Sequence, residues 1–120
     1  ASDVYKRQPP ANHPYFGHPG CFLKFCNEVR QYTDLPICGV GGLNDPDFVE
    51  QQLFDGRIQC AAMSRQLLAD PDWVNKLKNG QAKQIHRCVR CNKKCLGGLM
   101  AHQGTRCVYD ALREKEAQKA

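Results

Sequence analysis

Apolar and polar positions alternate in distinct patterns along this chain. From Cys21 to Tyr32 the apolar residues Phe22, Phe25, Cys26 and Val29 recur at helical spacing, with Lys24, Asn27, Glu28 and Arg30 on the other side. This predicts an amphipathic helix whose Phe22–Val29 stripe faces inward. Leu35–Val40 is a short, nearly continuous apolar run ending at Gly41-Gly42, the pattern of a strand covered on both faces. Asp45 then offers a helix cap, Pro46 fits the first helical position, and Asp47 and Glu50 suit its positive end. That helix is expected to run to Phe54 and stop at Asp55-Gly56. Ile58–Met63 reads as a second buried strand, and Gln66–Ala69 as a short helical turn. Asp70-Pro71 repeats the cap-plus-proline signature for a helix closing at Asn79-Gly80, with Gly80 left-handed. Residues 1–19 are polar and broken by Pro9, Pro10, Pro14, Gly17 and Pro19, so they read as an unstructured lead-in.

Helix, strand, helix, strand, helix is the order of an α/β architecture with parallel strands. Two strands leave open edges, so the chain reads as a piece of something larger or as one that pairs with another chain. Its 120 residues allow one modest domain. They exclude a complete eight-stranded α/β barrel, which needs about 250. No apolar run approaches the roughly 18 residues of a membrane span, and no secretory leader is visible. A cytoplasmic protein with no membrane partner is the expectation.

Charge and cysteine change this picture. The net charge of +5 is unevenly placed: residues 1–80 hold eight Lys/Arg against nine Asp/Glu, and residues 81–120 hold nine against three. The basic third is interleaved with cysteines rather than aromatics, which argues against a nucleic-acid partner. Of eight cysteines, Cys21, Cys26, Cys38 and Cys60 sit in apolar surroundings and read as small buried hydrophobes. The others form Cys88-x2-Cys91-x3-Cys95-x11-Cys107, a spacing that reads as ligands. Three thiols in a close run suit an iron–sulfur cluster, whereas structural zinc more often takes two separated pairs. Both metals, and no metal, stay open on spacing alone. Arg87, Arg90, Lys93, Lys94 and Arg106 would offset an anionic cluster. At the predicted strand ends, Gly41-Gly42 and Ser64-Arg65 combine close backbone approach with hydroxyl and guanidinium donors. They form a candidate phosphate site, against the plainer reading of a tight turn and a surface arginine.

Leu35–Gly42, Met63–Pro71, Lys76, Gly80, Ile85 and Cys88-Val89-Arg90-Cys91-Asn92 together resemble the C-terminal part of old yellow enzyme-like NADH:flavin oxidoreductases. The resemblance is to the iron–sulfur branch, which includes 2,4-dienoyl-CoA reductase, 2-enoate reductase, trimethylamine dehydrogenase and bile-acid-inducible oxidoreductases. It implies a C-terminal fragment of a TIM barrel, strands seven and eight with their helices, followed by a cysteine-rich cluster-binding segment. Residues 20–80 would then belong to the FMN-binding barrel, 81–110 to the [4Fe–4S] segment, and 111–120 to a polar tail. The resemblance gives Gly41, Gly42, Ser64 and Arg65 to the FMN phosphate and Cys88, Cys91, Cys95 and Cys107 to the cluster. It implies FAD and NAD(P)H for the full-length protein, in a domain beyond residue 120. The implied activity is transfer of reducing equivalents from NAD(P)H to an activated C=C bond of a small-molecule substrate. The alternatives are an outward-running amine dehydrogenase of the same family and a small structural zinc or nucleic-acid-binding module. Self-association into a homo-oligomer fits the open edges. Ser64 stands where the family usually has glycine, Val108-Tyr109 where it commonly has Asn-Pro, and no residue here is assigned as the catalytic acid.

Overall fold

In the computed structural model, which describes residues 18–119, the two Asp-Pro-Asp runs fold into the same turn. Asp45 Oδ1 accepts the amide of Asp47 and Asp70 Oδ1 accepts that of Asp72, each at 3.2 Å. The chain divides into two units, at Met63 and Ser64. Residues 1–17, most of the expected lead-in, lie outside the described residues.

The first unit contains α1 (Leu23–Arg30), β1 (Cys38–Val40), α2 (Pro46–Phe54) and β2 (Cys60–Ala62). Pro46 occupies the first position of α2 behind the Asp45 cap, as the sequence predicts. The strands are parallel neighbours in the register Cys38↔Cys60, Gly39↔Ala61, Val40↔Ala62. Gln59 extends this ladder, since its side-chain oxygen accepts from the Ile37 amide at 2.8 Å while its own amide donates to the Ile37 carbonyl at 2.9 Å. Cys21, Leu23, Leu43, Val49 and Ile58 form the buried apolar core.

Three expectations need correction here. On α1 the buried residue is Leu23, while Phe25 and Val29 of the predicted inward stripe are 47% and 49% exposed. The strands are shorter than predicted, and β1 is exposed, buried, exposed rather than covered on both faces. Cys38 and Cys60 are therefore exposed, although Cys21 is buried as expected. The cause is common to all three. Burial needs an opposing layer, and within this unit the apolar packing gathers around Leu23, Leu43, Val49 and Ile58. Side by side across the strands, Cys60 bonds to the Cys38 thiol and, with partial burial and the repulsion of Cys60 and Cys26, holds its pKa up.

The second unit contains α3 (Arg65–Ala69), α4 (Trp73–Lys78), a 3-10 turn (Ala82–Gln84), α5 (Leu96–Met100) and α6 (Asp110–Ala117). The predicted short turn and its successor are present, and Gly80 closes α4 with φ +69°. The polar stretch after Cys107 is helical, although its polarity offers no inward stripe. Its anchor is Arg113, whose Nη1 donates to the carbonyls of Leu68 and Ala69 at 3.0 and 3.2 Å and whose Nη2 bonds Asp110. Those carbonyls end α3 and would otherwise lack partners.

Ala69, Trp73 and Ile85 are buried with two polar residues, Gln66 and Asp70. Asp70 is 1% exposed and its Oδ2 accepts from Lys76 Nζ at 2.7 Å and from the His86 amide at 2.9 Å. Burial alone would raise the Asp70 pKa. The Lys76 ammonium and the His86 and Asp72 amides outweigh it and hold the carboxyl below its usual value. Unfolding therefore takes up a proton at acid pH. The stabilisation is complete above the ordinary carboxylate pKa of about 3.9 and is lost as pH falls through the lower folded value. Amide exchange in α4 should accelerate below about pH 4, and Asp70→Asn should flatten that limb. An unchanged acid limb in the variant would remove Asp70 from this role.

Candidate functional site

The Cys88–Cys107 segment is built by backbone exceptions. Arg90 and Asn92 flank Cys91 with φ of +54° and +55°, a region that non-glycine residues seldom occupy. Two such residues so close together bend the chain sharply around Cys91. The Arg90 amide donates to Cys88 Sγ at 3.4 Å. Further along, the Gly97 amide returns to the Asn92 carbonyl at 2.9 Å and the Gln103 amide to the Gly98 carbonyl at 2.8 Å. The Arg106 amide reaches the Lys94 carbonyl at 3.3 Å, which sets Cys107 beside the Cys95 end of the loop. Cys107 is fixed in turn by Asp110: its amide donates to Asp110 Oδ2 at 3.1 Å, and its carbonyl accepts from the Asp110 amide at 3.3 Å.

The result is one pocket of about 300 Å³, counting the space open to solvent, lined by Cys88, Cys91, Cys95 and Cys107. Leu68, Val89 and Val108 give it an apolar wall, and Arg65, Lys94 and Arg106 give it positive charge. Of the basic residues expected to balance a cluster, Arg87, Arg90 and Lys93 are not among the lining residues. All eight cysteines are free thiols. Among the described residues no three His, Cys, Asp or Glu side chains gather closely enough to hold a single metal ion. Burial pushes the Cys88 thiol up, the Arg90 amide and Arg65 guanidinium pull it down, and the nearby Cys107 and Cys95 add to the rise. Cysteine sulfur, once deprotonated, is the ligand of soft metals and iron–sulfur centres, so four cysteines on one pocket are a donor set for such a group.

Arg65, read from sequence as a phosphate donor, has its guanidinium at this pocket, where Nη1 donates to Asn92 Oδ1 at 2.5 Å. Ser64 is exposed at the start of α3 and makes no capping bond. In the first unit, Gly41 and Gly42 follow β1 with φ of +110° and +67°. A Cβ at Gly41 would also lie 2.8 Å from the Phe22 ring, so this bend demands glycine. His86 stacks on Tyr109 with ring centroids 5.2 Å apart and bonds Glu116 at 3.1 Å.

Sequence reasoning missed Gln66, Asp70 and Arg113 as supports of this segment. A signal for the first two was present: Gln66 and Asp70 are four residues apart and bracket the apolar Leu67-Leu68-Ala69. That spacing puts two hydrogen-bonding side chains on one side of a helical turn.

A model of the NADH:flavin oxidoreductase / NADH oxidase family matches residues 5–84. The chain belongs to this family. These are TIM-barrel flavin oxidoreductases, and the described residues form a small part of that architecture with two strands. Bilirubin reductase of Clostridium symbiosum is 58% identical over 106 residues, 88% of this chain and 28% of that protein. NADH oxidase of Thermoanaerobacter brockii is 28% identical over 117 residues, 97% of this chain and 18% of that protein. At that coverage the second alignment runs through the cysteine segment, beyond the reach of the family model. Among solved structures, the 6-hydroxypseudooxynicotine amine oxidase of Pseudomonas geniculata N1 is 29% identical with a TM-score of 0.74. That match covers 81% of this chain and 14% of the other. This chain spans less than a third of the curated relatives it matches. Among the described residues no helix is long and apolar enough to cross a membrane.

Proposed function

We propose that this segment supplies the phosphate end of an FMN site and a [4Fe–4S] centre to an oxidoreductase. The enzyme transfers reducing equivalents from NAD(P)H to an activated C=C bond, and the segment comprises the seventh and eighth strands of its barrel. The observation that carries the reading is that Cys88, Cys91, Cys95 and Cys107 all line one pocket. Three of these thiols fall in one close run, the spacing of an iron–sulfur ligand set rather than of the two separated pairs usual for structural zinc. Cys88, Cys91, Cys95 and Cys107 are the ligands in this reading. When bound, the cluster relays single electrons and the flavin joins that relay to hydride chemistry.

The chain's own residues prepare the site. Lys94 and Arg106 offset the charge of the thiolates, and Leu68, Val89 and Val108 line them with apolar surface. Amides at Gly41 and Gly42, with Ser64 and the Arg65 guanidinium, are the donors to the flavin phosphate. FAD and NAD(P)H are bound by the remainder of the enzyme, and the substrate is a small molecule.

Oxygen-free purification of the full-length protein tests the centre. About four iron and four sulfide per chain, with broad visible absorption, are expected. A colourless protein with one zinc per chain would overturn it. Replacing Arg65 with alanine should weaken FMN binding about 10- to 100-fold, the loss of one charge-assisted hydrogen bond. Unaltered flavin affinity would remove Arg65 from the phosphate site.

A second reading has electrons leaving an amine rather than reaching an alkene, and the amine oxidase likeness favours it. Anaerobic mixing separates the two. Bleaching of the flavin by NADH or NADPH supports reduction of C=C bonds, and bleaching by a secondary or tertiary amine alone supports the reverse flow.

A further inference from the structure

The stretch from Ile85 to Asn92 belongs to no helix or strand, so its backbone groups need partners from elsewhere. Around Cys88 those partners are two side chains. Gln66 Nε2 donates to the His86 carbonyl at 3.0 Å, and Gln66 Oε1 accepts from the Cys88 amide at 2.9 Å. A carbonyl and the amide two residues later are the pair that a neighbouring parallel strand would engage. The Gln66 carboxamide therefore stands in for one residue of such a strand. The His86 amide is taken by Asp70, one helical turn further along. Gln66 is 3% exposed and Asp70 1%, so water does not compete effectively for these bonds.

We infer that Gln66 is a positioning residue for the metal centre, holding the Cys88 backbone so that its thiol enters the pocket at a fixed place. The role rests on the cluster reading above. Gln66 acts through the Cys88 amide and the His86 carbonyl. Its neighbour Arg65 faces the same pocket directly, so one turn of α3 both clamps the first cysteine and presents charge to its thiol.

The test uses the full-length protein purified without oxygen, as wild type, Gln66→Leu and Gln66→Glu. Gln66→Leu removes both bonds. Gln66→Glu keeps the acceptor for Cys88 and loses the donor to His86. Peptide-resolved amide exchange should accelerate about tenfold or more at residues 86–91 in Gln66→Leu, with α2 unchanged, and less in Gln66→Glu. Iron release to a chelator should follow the same order, and the electron paramagnetic resonance of the reduced centre should shift. Faster exchange throughout, α2 included, would mean a general packing role and overturn the inference. An iron-loaded Gln66→Leu protein matching wild type in local exchange, iron release and resonance would overturn it while leaving the cluster intact. Wild type devoid of iron and sulfide would overturn the cluster reading and this role with it. Should Gln66→Leu fail to fold, Gln66→Glu against wild type decides by the same measurements.

Discussion

Cys91→Ala in the full-length enzyme should yield protein that retains flavin but has lost its iron and sulfide. Cys91 lies between Arg90 and Asn92, both held at positive φ. Each such conformation costs on the order of 1–3 kcal/mol and persists only where its surroundings enforce it. Metal bonding at Cys91 would add to the bonds that Asn92 makes with Gly97 and Arg65 and that Arg90 makes with Cys88 in holding both neighbours in place. Its removal leaves three thiolates and frees the loop to relax, so loss of the centre should be nearly complete rather than graded. Iron should fall from about four per chain to a trace, with the visible charge-transfer absorption. Cys26→Ala is the matched control. That thiol belongs to α1 and contacts the Phe22 carbonyl of its own helix at 3.9 Å, so iron should be unaffected. A centre that survives loss of Cys91 would contradict the ligand assignment.

Gly98→Ala should have the second largest effect, although it removes no ligand. Gly98 is buried in α5, and a Cβ there would lie 2.4 Å from the Gly104 carbonyl oxygen. That oxygen is backbone and cannot swing aside as a flexible side chain would. Gly104 itself sits at φ +77°, and the bond from the Gln103 amide to the Gly98 carbonyl closes the same loop. The added methyl must push apart the two sides that bring Cys95 and Cys107 to one pocket. A cost of about 1–3 kcal/mol is expected, as for other overpacked sites. Iron should be released to a chelator faster than from wild type, and amide exchange should quicken at residues 96–107. Gly56→Ala offers a contrast: its position is also left-handed, but no neighbour lies within 4 Å of the added carbon. It should strain its turn without touching iron retention. Wild-type iron retention in Gly98→Ala would show that the close approach does not hold the loop together.

Elements marked by local chemistry were legible in the sequence. Asp45-Pro46 fixed the start of α2 because capping and proline geometry involve only neighbouring residues. The parallel pairing of β1 with β2 followed from two apolar runs separated by a helix. The inward face of α1 did not follow. Periodicity locates an apolar stripe, but the opposing layer decides whether it is buried, and here Leu23 is covered while Phe25 and Val29 are not. The cysteine spacing pointed to one set of ligands, and its four thiols line one pocket. The supports of that set stayed hidden for a different reason. Gln66 and Arg113 act on backbone groups 20 and 45 positions away, and no local pattern announces a partner so distant in sequence. For the same reason α6 escaped notice: Arg113 docks it by polar contacts rather than by an apolar stripe.

The grip of Arg113 on the Leu68 and Ala69 carbonyls has a bearing on biosynthesis. During translation, α3 leaves the ribosome long before the residue that closes its end. Until α6 emerges, the nascent polypeptide carries its thiols on an unfinished scaffold, open to oxidants and to stray metal ions. A metal centre held by this segment would therefore be completed only after α6 has been made.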